Sequence, residues 1–319
     1  MEGINLFWSV YKNLEKEFLQ VAQFIHFSDN QMKVYSVHIA DLIIRCAIEI
    51  EAISKELYIG LGGSSNLKDK NGKPRELYFD TDCLNMLEER WRIGKKQIIV
   101  SAANFYFTSE KNRIISPLHK ANKRGKSGSK WKQSYQELKH NRKEALDFGN
   151  IGNLLNAMGA LYILNLYYRG ETFPLGRWGT DKFDARVGSE IFSVAELNAT
   201  QITFGGDSNR NYQGEEFDKA IYLTKFERDS FITMMKKMRD ENEKISARMR
   251  ESQKTQDDII KMIKGGETDA NTILNKVSEP YHHKALMNIA HGNVNMEAII
   301  NKNENVYPTA EELEVLFGE

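Results

Sequence analysis

The segment Tyr135-x3-Lys139-His140-Asn141-Arg142 places an imidazole between two cationic side chains within one helical turn. Imidazole takes and gives protons near neutral pH. A guanidinium clamps a phosphate bidentately and holds the charge that develops on it. A base beside a phosphate clamp is the minimum for metal-independent RNA cleavage, in which a 2′-hydroxyl attacks its own phosphodiester. His140 is therefore the candidate proton-transfer group, and Arg142 and Lys139 are candidate phosphate stabilisers. Tyr135 is a supporting polar or stacking residue. The same Lys-His-x-Arg cluster could instead brace a helical bundle, and the residues alone leave that alternative open.

The cluster lies in a basic stretch. Between Lys120 and Glu144, nine basic residues face two acidic ones, a local charge of +7 in a chain whose 44 basic and 44 acidic residues cancel. Trp131 and Tyr135 interleave with these cations, and Gly125, Ser127, Gly128 and Ser129 make the first half a loop. Basic groups neutralise phosphates and aromatic rings stack on bases. Lys123, Arg124, Lys126, Lys130, Trp131 and Lys132 are thus the candidate RNA-binding residues. A solvated lysine loop preceding a helix is the alternative.

These residues need elements to hold them. Five prolines and 22 glycines in 319 residues are few, which disfavours a barrel or sandwich of many tight turns. Apolar residues recur at helical spacing from Phe7 to Ile25 and again from about Gln31 to Leu57, the second helix apolar on two sides as the centre of a bundle would be. Ser28, Asp29 and Asn30 between them suit helix caps. The glycines of 60–74 lack the Gly-Lys-Ser/Thr close of a phosphate loop and read as a connection. A short helix fits 81–90, and the apolar run 98–107 fits a strand or a buried helix. One long helix is expected over 131–168, with Gly149 and Gly152 as a kink or a place of close approach. Short strands fit 191–204 and 220–225. A charged helix fits 227–264, where seven of ten positions stepping by four and three are apolar, broken by Asn242, Ser252 and Gln256. It reads as a helix lying across the domain, or as an antiparallel hairpin or dimer seam, and it is the segment through which a regulatory protein partner would bind. Thr309 and Glu312 fit a capping box.

The segment Tyr135-x3-Lys139-His140-Asn141-Arg142, followed by Phe148 and Asn153-Leu154-Leu155-Asn156-Ala157, resembles the last core helix of HEPN-type proteins. Val34-Tyr35-Ser36 and Cys46-Ala47-Ile48-Glu49-Ile50-Glu51 resemble a preceding helix in abortive-infection relatives of that superfamily. The resemblance covers roughly residues 1–170. It implies a mainly α fold: a HEPN-like helical bundle over 1–170, with a smaller mixed region over 171–319. It also implies a homodimer with RNA as its partner, often a metal-independent endoribonuclease of phage defence or toxin–antitoxin systems, with an Arg and a His from each copy meeting at the dimer interface. A non-catalytic HEPN-like module that binds RNA or protein as an adaptor is the alternative. The superfamily's Arg-x4–6-His signature is not met at His140, where Gln133, Ser134 and Tyr135 fill the required positions and Arg142 follows the histidine. Arg113-x5-His119 has the spacing, which chance alone supplies in a chain of this composition, so this pair is a secondary catalytic alternative.

The remaining clusters promise less. Two cysteines, Cys46 and Cys83, cannot build a cysteine-rich zinc site and suit a reducing compartment. His282, His283 and His291 lack a nearby carboxylate pair to complete a ligand set, so no metal or other cofactor is expected. Glu49 and Glu51 read as surface or interhelical groups rather than catalytic acids. The longest apolar stretch, Met158 to Tyr168, is interrupted by Asn165 and too short to span a bilayer. With an N-terminus lacking a basic leader, the expectation is a cytoplasmic protein without membrane contact.

Overall fold

The computed structural model describes residues 5–177, 179, 182–200, 214–270, 272, 273, 276, 289, 294–308 and 310–317. The first half is helical: α1 (Leu6–Val21), α2 (Val37–Gly60), α3 (Asn85–Trp91), a single turn α4 (Glu110–Arg113), α5 (Lys130–His140) and α6 (Ile151–Arg169). The fold is mainly α, with small sheets at its margins. At its centre stands α6 rather than α2. Leu154, Leu155 and every residue from Ala157 to Tyr167 are buried, around the full circumference. A helix apolar on all sides must be covered on all sides, and α1, α2 and α5 pack on it. By contrast, α2 keeps one face outward, with Val37, Ile48 and Ile59 exposed.

Two expected boundaries move. The second helix begins at Val37, not near Gln31, because Ser36 caps it through the Ile39 amide. Asp29 caps nothing locally; it accepts from the Thr108 and Ser109 amides, the Thr108 hydroxyl and Asn112, tying the α1–α2 link to the start of α4. These bonds hold its carboxyl well below the usual range, the Asn112 bond most of all. The expected helix over 131–168 is two helices. Between them the chain touches α2 so closely that a Cβ on Gly149 would lie 2.6 Å from that of Ala40. Asn150 then starts α6 by capping the Asn153 amide. Close approach is therefore the role of Gly149.

The apolar run 98–107 resolves into strands β4 (Ile98–Val100) and β5 (Phe105–Tyr106). Beside them, β1 (Phe27–Ser28) pairs with β5, and β2 (Leu67–Lys68) with β3 (Pro74–Arg75) forms a hairpin within the glycine-rich connection. β6 (Ile114–Ile115) and β8 (Phe192–Val194) flank β4 antiparallel. The second sheet runs β7-β11-β10-β9, from β7 (Phe173–Arg177), β9 (Glu196–Asn198), β10 (Tyr222–Phe226) and β11 (Asn295–Ile300). Only the β9–β10 pair in it is parallel. A turn, α7 (Glu215–Lys219), precedes β10. The expected helix over 227–264 is α8 (Arg228–Glu251) and α9 (Gln253–Lys264), divided where Ser252 caps the Thr255 amide. The seam buries Phe231, Met238 and Ile245 but leaves Ile263 exposed, so it stops with α8. The helix α10 (Ala310–Phe317) follows; Thr309, its expected cap, lies outside the described residues.

The segments 1–170 and 171–319 do not pack as separate cores. Ile98 pairs with Val194 across one sheet, and one apolar core includes Tyr11, Ile43, Tyr222 and Met296. At the join, Asn301 donates to the carbonyls of Phe217 and Ala220, and Tyr167 donates to the Asn301 carbonyl at 2.6 Å. Lys96 is wholly buried there and donates to the Ala220 carbonyl at 3.0 Å. Burial lowers its pKa to about 7; Asp218 opposes the shift and Arg92 adds to it. An unfolded lysine titrates near 10.4. Between these values the unfolded chain binds a proton that the folded chain does not, so this residue makes stability rise with pH across that window. Lys96→Met removes the penalty of charging a buried amine. We expect it to raise the urea midpoint below pH 7 and to flatten the rise seen for wild type between pH 7 and 10.

Candidate functional site

The basic stretch folds as a loop followed by α5, whose inner face is Trp131, Lys132, Ser134, Tyr135 and Leu138. Spacing of i, i+4 and i+7 placed Trp131, Tyr135 and Leu138 together, and they do pack inward. Trp131 is 1% exposed and its indole donates to the Pro117 carbonyl at 2.8 Å. The ring is thus closed off from any base. Lys132 also turns inward, its side chain 5% exposed, and its ammonium bonds Asp80 at 3.2 Å, the Ala121 carbonyl at 2.9 Å and the Lys123 carbonyl. Two of the six candidate RNA contacts are therefore structural, because burial commits their polar atoms to protein partners.

Asp80 is the hub. It accepts from Arg124 at 3.1 Å as well as from Lys132, while Asp82 holds Arg75 at 2.6 Å. Both guanidiniums flank the Tyr78 ring, Arg124 at 4.1 Å and Arg75 at 5.1 Å from its centroid. Burial works to raise the Asp80 pKa, but the Arg124 bond, the Thr81 amide and Lys132 together hold it below the usual range. Burial pulls the Lys132 pKa down despite Asp80. Of the other candidates, Lys123 and Lys130 are exposed, Arg124 is exposed but paired, and the side chain of Lys126 lies outside the described residues.

The chemistry-bearing end of α5 lies against the outer face of α2. Arg142 pairs with Asp41, and Tyr135 meets Glu51, so the two helices run antiparallel. Burial first, then Glu51, raises the Tyr135 phenol, while Lys139 opposes them from 5.5 Å off the ring centroid. Burial also raises Glu49, with Arg45 opposing. His140 is exposed on the last residue of α5 and forms no side-chain hydrogen bond among the described residues. Lys139 is exposed beside it, and between Asp41 and Glu51 the Ile48 side chain is 51% exposed. The site is thus an open surface carrying an uncommitted imidazole, an exposed ammonium and a guanidinium held by an exposed carboxylate.

Arg113 directly precedes β6 and His119 follows it by four residues, both exposed and without side-chain partners among the described residues. Neither bonds Lys139, His140 or Arg142 among the described residues. Among the described residues no three His, Cys, Asp or Glu side chains converge as a metal site, and no helix is long and apolar enough to cross a membrane. His282, His283 and His291 lie outside the described residues. The partners Asp41 and Asp80 escaped the sequence reading. Asp41 shares a helical face with Ile44 and Ile48, a local signal; Asp80 meets Arg124 only through the tertiary fold, for which no spacing rule exists.

No family model, curated protein or solved structure matches this chain.

Lys132→Ala takes the ammonium donor from the Ala121 and Lys123 carbonyls and leaves Asp80 held by Arg124 and the Thr81 amide, and we expect it to lower unfolding free energy by about 1–3 kcal/mol. Lys130→Ala, two positions earlier but exposed, should stay within roughly 0.5 kcal/mol of wild type. Urea titration of both variants checks the difference; equal values would overturn the structural role of Lys132.

Proposed function

We propose that this chain is a HEPN-like, metal-independent endoribonuclease that works as a homodimer in phage defence or a toxin–antitoxin pair. One observation carries the enzymatic reading: the fold gives His140 no structural duty yet holds it, exposed, between Lys139 and Arg142. The bracing alternative requires contacts that the imidazole does not make among the described residues. The defence setting rests on the resemblance of 135–157 and 34–51 to abortive-infection proteins.

In this mechanism His140 takes the proton of a 2′-hydroxyl, whose oxygen attacks the adjacent phosphorus. The bond from phosphorus to the 5′-oxygen breaks, and the imidazolium returns the proton to that oxygen. The products are a 2′,3′-cyclic phosphate and a 5′-hydroxyl. Lys139 and Arg142 stabilise the charge on the phosphoryl oxygens. Arg142 must first leave Asp41, and an ion pair with side chains 43% and 49% exposed is worth only about 0–1 kcal/mol. Asp41 thus holds the guanidinium in place without trapping it. RNA would extend over Lys123 and Lys130. The second copy would cover the exposed Val37 and Ile48 of α2, beside the site. Exposed Ile260 and Ile263 on α9 offer a regulatory protein an apolar contact.

Incubating the purified chain with mixed cellular RNA and EDTA should give fragments ending in 2′,3′-cyclic phosphate. His140→Ala should cut at least about 100-fold more slowly with an unchanged thermal midpoint. Salt-sensitive RNA binding without fragments from wild type would replace the enzyme with the adaptor module. Asp41→Asn frees Arg142, so RNA should bind the variant more tightly at low salt, as read by filter binding; weaker binding would place Arg142 outside the RNA site.

A further inference from the structure

A cleft of about 390 Å³ opens where the first turns of α1, the end of α6 and the start of β7 meet. Small-molecule sites span roughly 300–1,000 Å³ and combine apolar walls with a few convergent polar groups. Here the walls are the rings of Trp8, Phe173 and Phe183, and the polar groups are Lys12, Arg169 and Lys182. Asp184 supplies the one carboxylate among the described lining residues, while Glu15 and Glu190 pair with Lys12 and Glu171 with Arg169 from the cleft's edge, so Lys182 is the cation left without an ion pair among the described residues.

The three cations are held to different degrees. Arg169 lies over the Trp8 ring, 4.1 Å from its centroid, and is clamped by Glu171 and the Val187 carbonyl. Three of its five N–H donors are used and two remain. Lys12 bonds Glu15 and the Gly188 carbonyl, and reaches the exposed Glu190 at 3.4 Å. That last contact is long and wet, so a ligand oxygen replaces it at little cost. Lys182 is exposed and has no ion-pair partner among the described residues.

The floor beneath is rigid. Glu15 is wholly buried and accepts from the Tyr11 and Ser189 hydroxyls and from the Glu190 and Ile191 amides. Trp8 stacks on Tyr11 with ring centroids 5.0 Å apart. Lys12, Trp8 and the 188–190 turn are therefore fixed before any ligand arrives, which reduces the ordering cost of binding.

We propose that this cleft binds a small organic phosphate bearing a flat apolar group, the class to which nucleoside 5′-monophosphates belong. A phosphate monoester carries close to two negative charges at pH 7 and several acceptor oxygens, which suit the unpaired Lys182 ammonium, the two remaining Arg169 donors and the loosely held Lys12. It sits between Lys182, Lys12 and Arg169, with the flat group against Phe173 and Phe183. The site is apart from the α5 surface, and its binding does not depend on RNA cleavage.

Isothermal titration of the full chain with the four nucleoside 5′-monophosphates tests this. At least one should bind, with adenosine-type nucleosides and inorganic phosphate each at least about tenfold weaker. Lys182→Glu changes an exposed side chain without touching the core and should weaken the tightest of the four at least tenfold. Lys68→Glu, on the remote β2–β3 hairpin, should leave that affinity unchanged. Failure of all four to bind overturns the proposal, as does inorganic phosphate binding equally well. Binding indifferent to Lys182→Glu places the ligand elsewhere and overturns it too.

Discussion

A helix that is apolar around its whole circumference cannot sit at a surface, and α6 is such a helix. Its burial from Ala157 to Tyr167 forces every neighbour into place: α1, α2 and α5 on the bundle side, and the strands that join the second half on the other. Apolar area removed from water contributes about 25 cal/mol per Å², and among the described elements no other is buried over so long an unbroken run. The first break, at 141–150, follows from the same constraint. The chain must turn tightly enough for Gly149 to touch Ala40 before α6 can enter the core.

Buried charges mark where separate stretches of chain are joined to this core. Glu15 fixes α1 to the 188–191 turn, Lys132 with Asp80 fixes α5 to the stretch before α3, and Lys225 pairs with Glu297 across β10 and β11 at 2.6 Å. In each, several hydrogen bonds satisfy the buried ion, the condition under which such a group is tolerated inside a protein. Lys96 differs, having a single carbonyl as its hydrogen-bond acceptor, and its ammonium form is correspondingly disfavoured. These ties make the described strands and helices after residue 170 part of the same packed body as the bundle.

The two proposed sites lie where the ties end. On α5 the inward residues are committed to structure, while Lys139, His140 and Arg142 emerge at the C-terminal end over the free face of α2. The cleft beside Trp8 arises similarly, where the Glu15 network leaves Lys12 at a rim that Arg169 and Lys182 complete. Rigid backing with exposed polar tips is the arrangement that lets a surface recognise anions without large reorganisation.

The sequence by itself determined that the chain is mainly helical, because the 3.6-residue period in α1, α2 and α5 and the long apolar run of α6 are local properties of the residues. It also placed short strands near 192 and 222 and put Trp131, Tyr135 and Leu138 on one face, whereas the apolar run from 98 fitted a strand or a buried helix equally well until the fold paired it. Which face turns inward, and which cations remain in water, only the tertiary structure decided. Lys132 and Lys130 are indistinguishable by type and differ by two positions; what separates them is Asp80, some fifty residues away. The split of 131–168 likewise depends on Ala40, and the division at Ser252 on where the α8 face finds a core to bury. Local period fixes helices, but long-range packing fixes their ends and the solvent exposure of each charge.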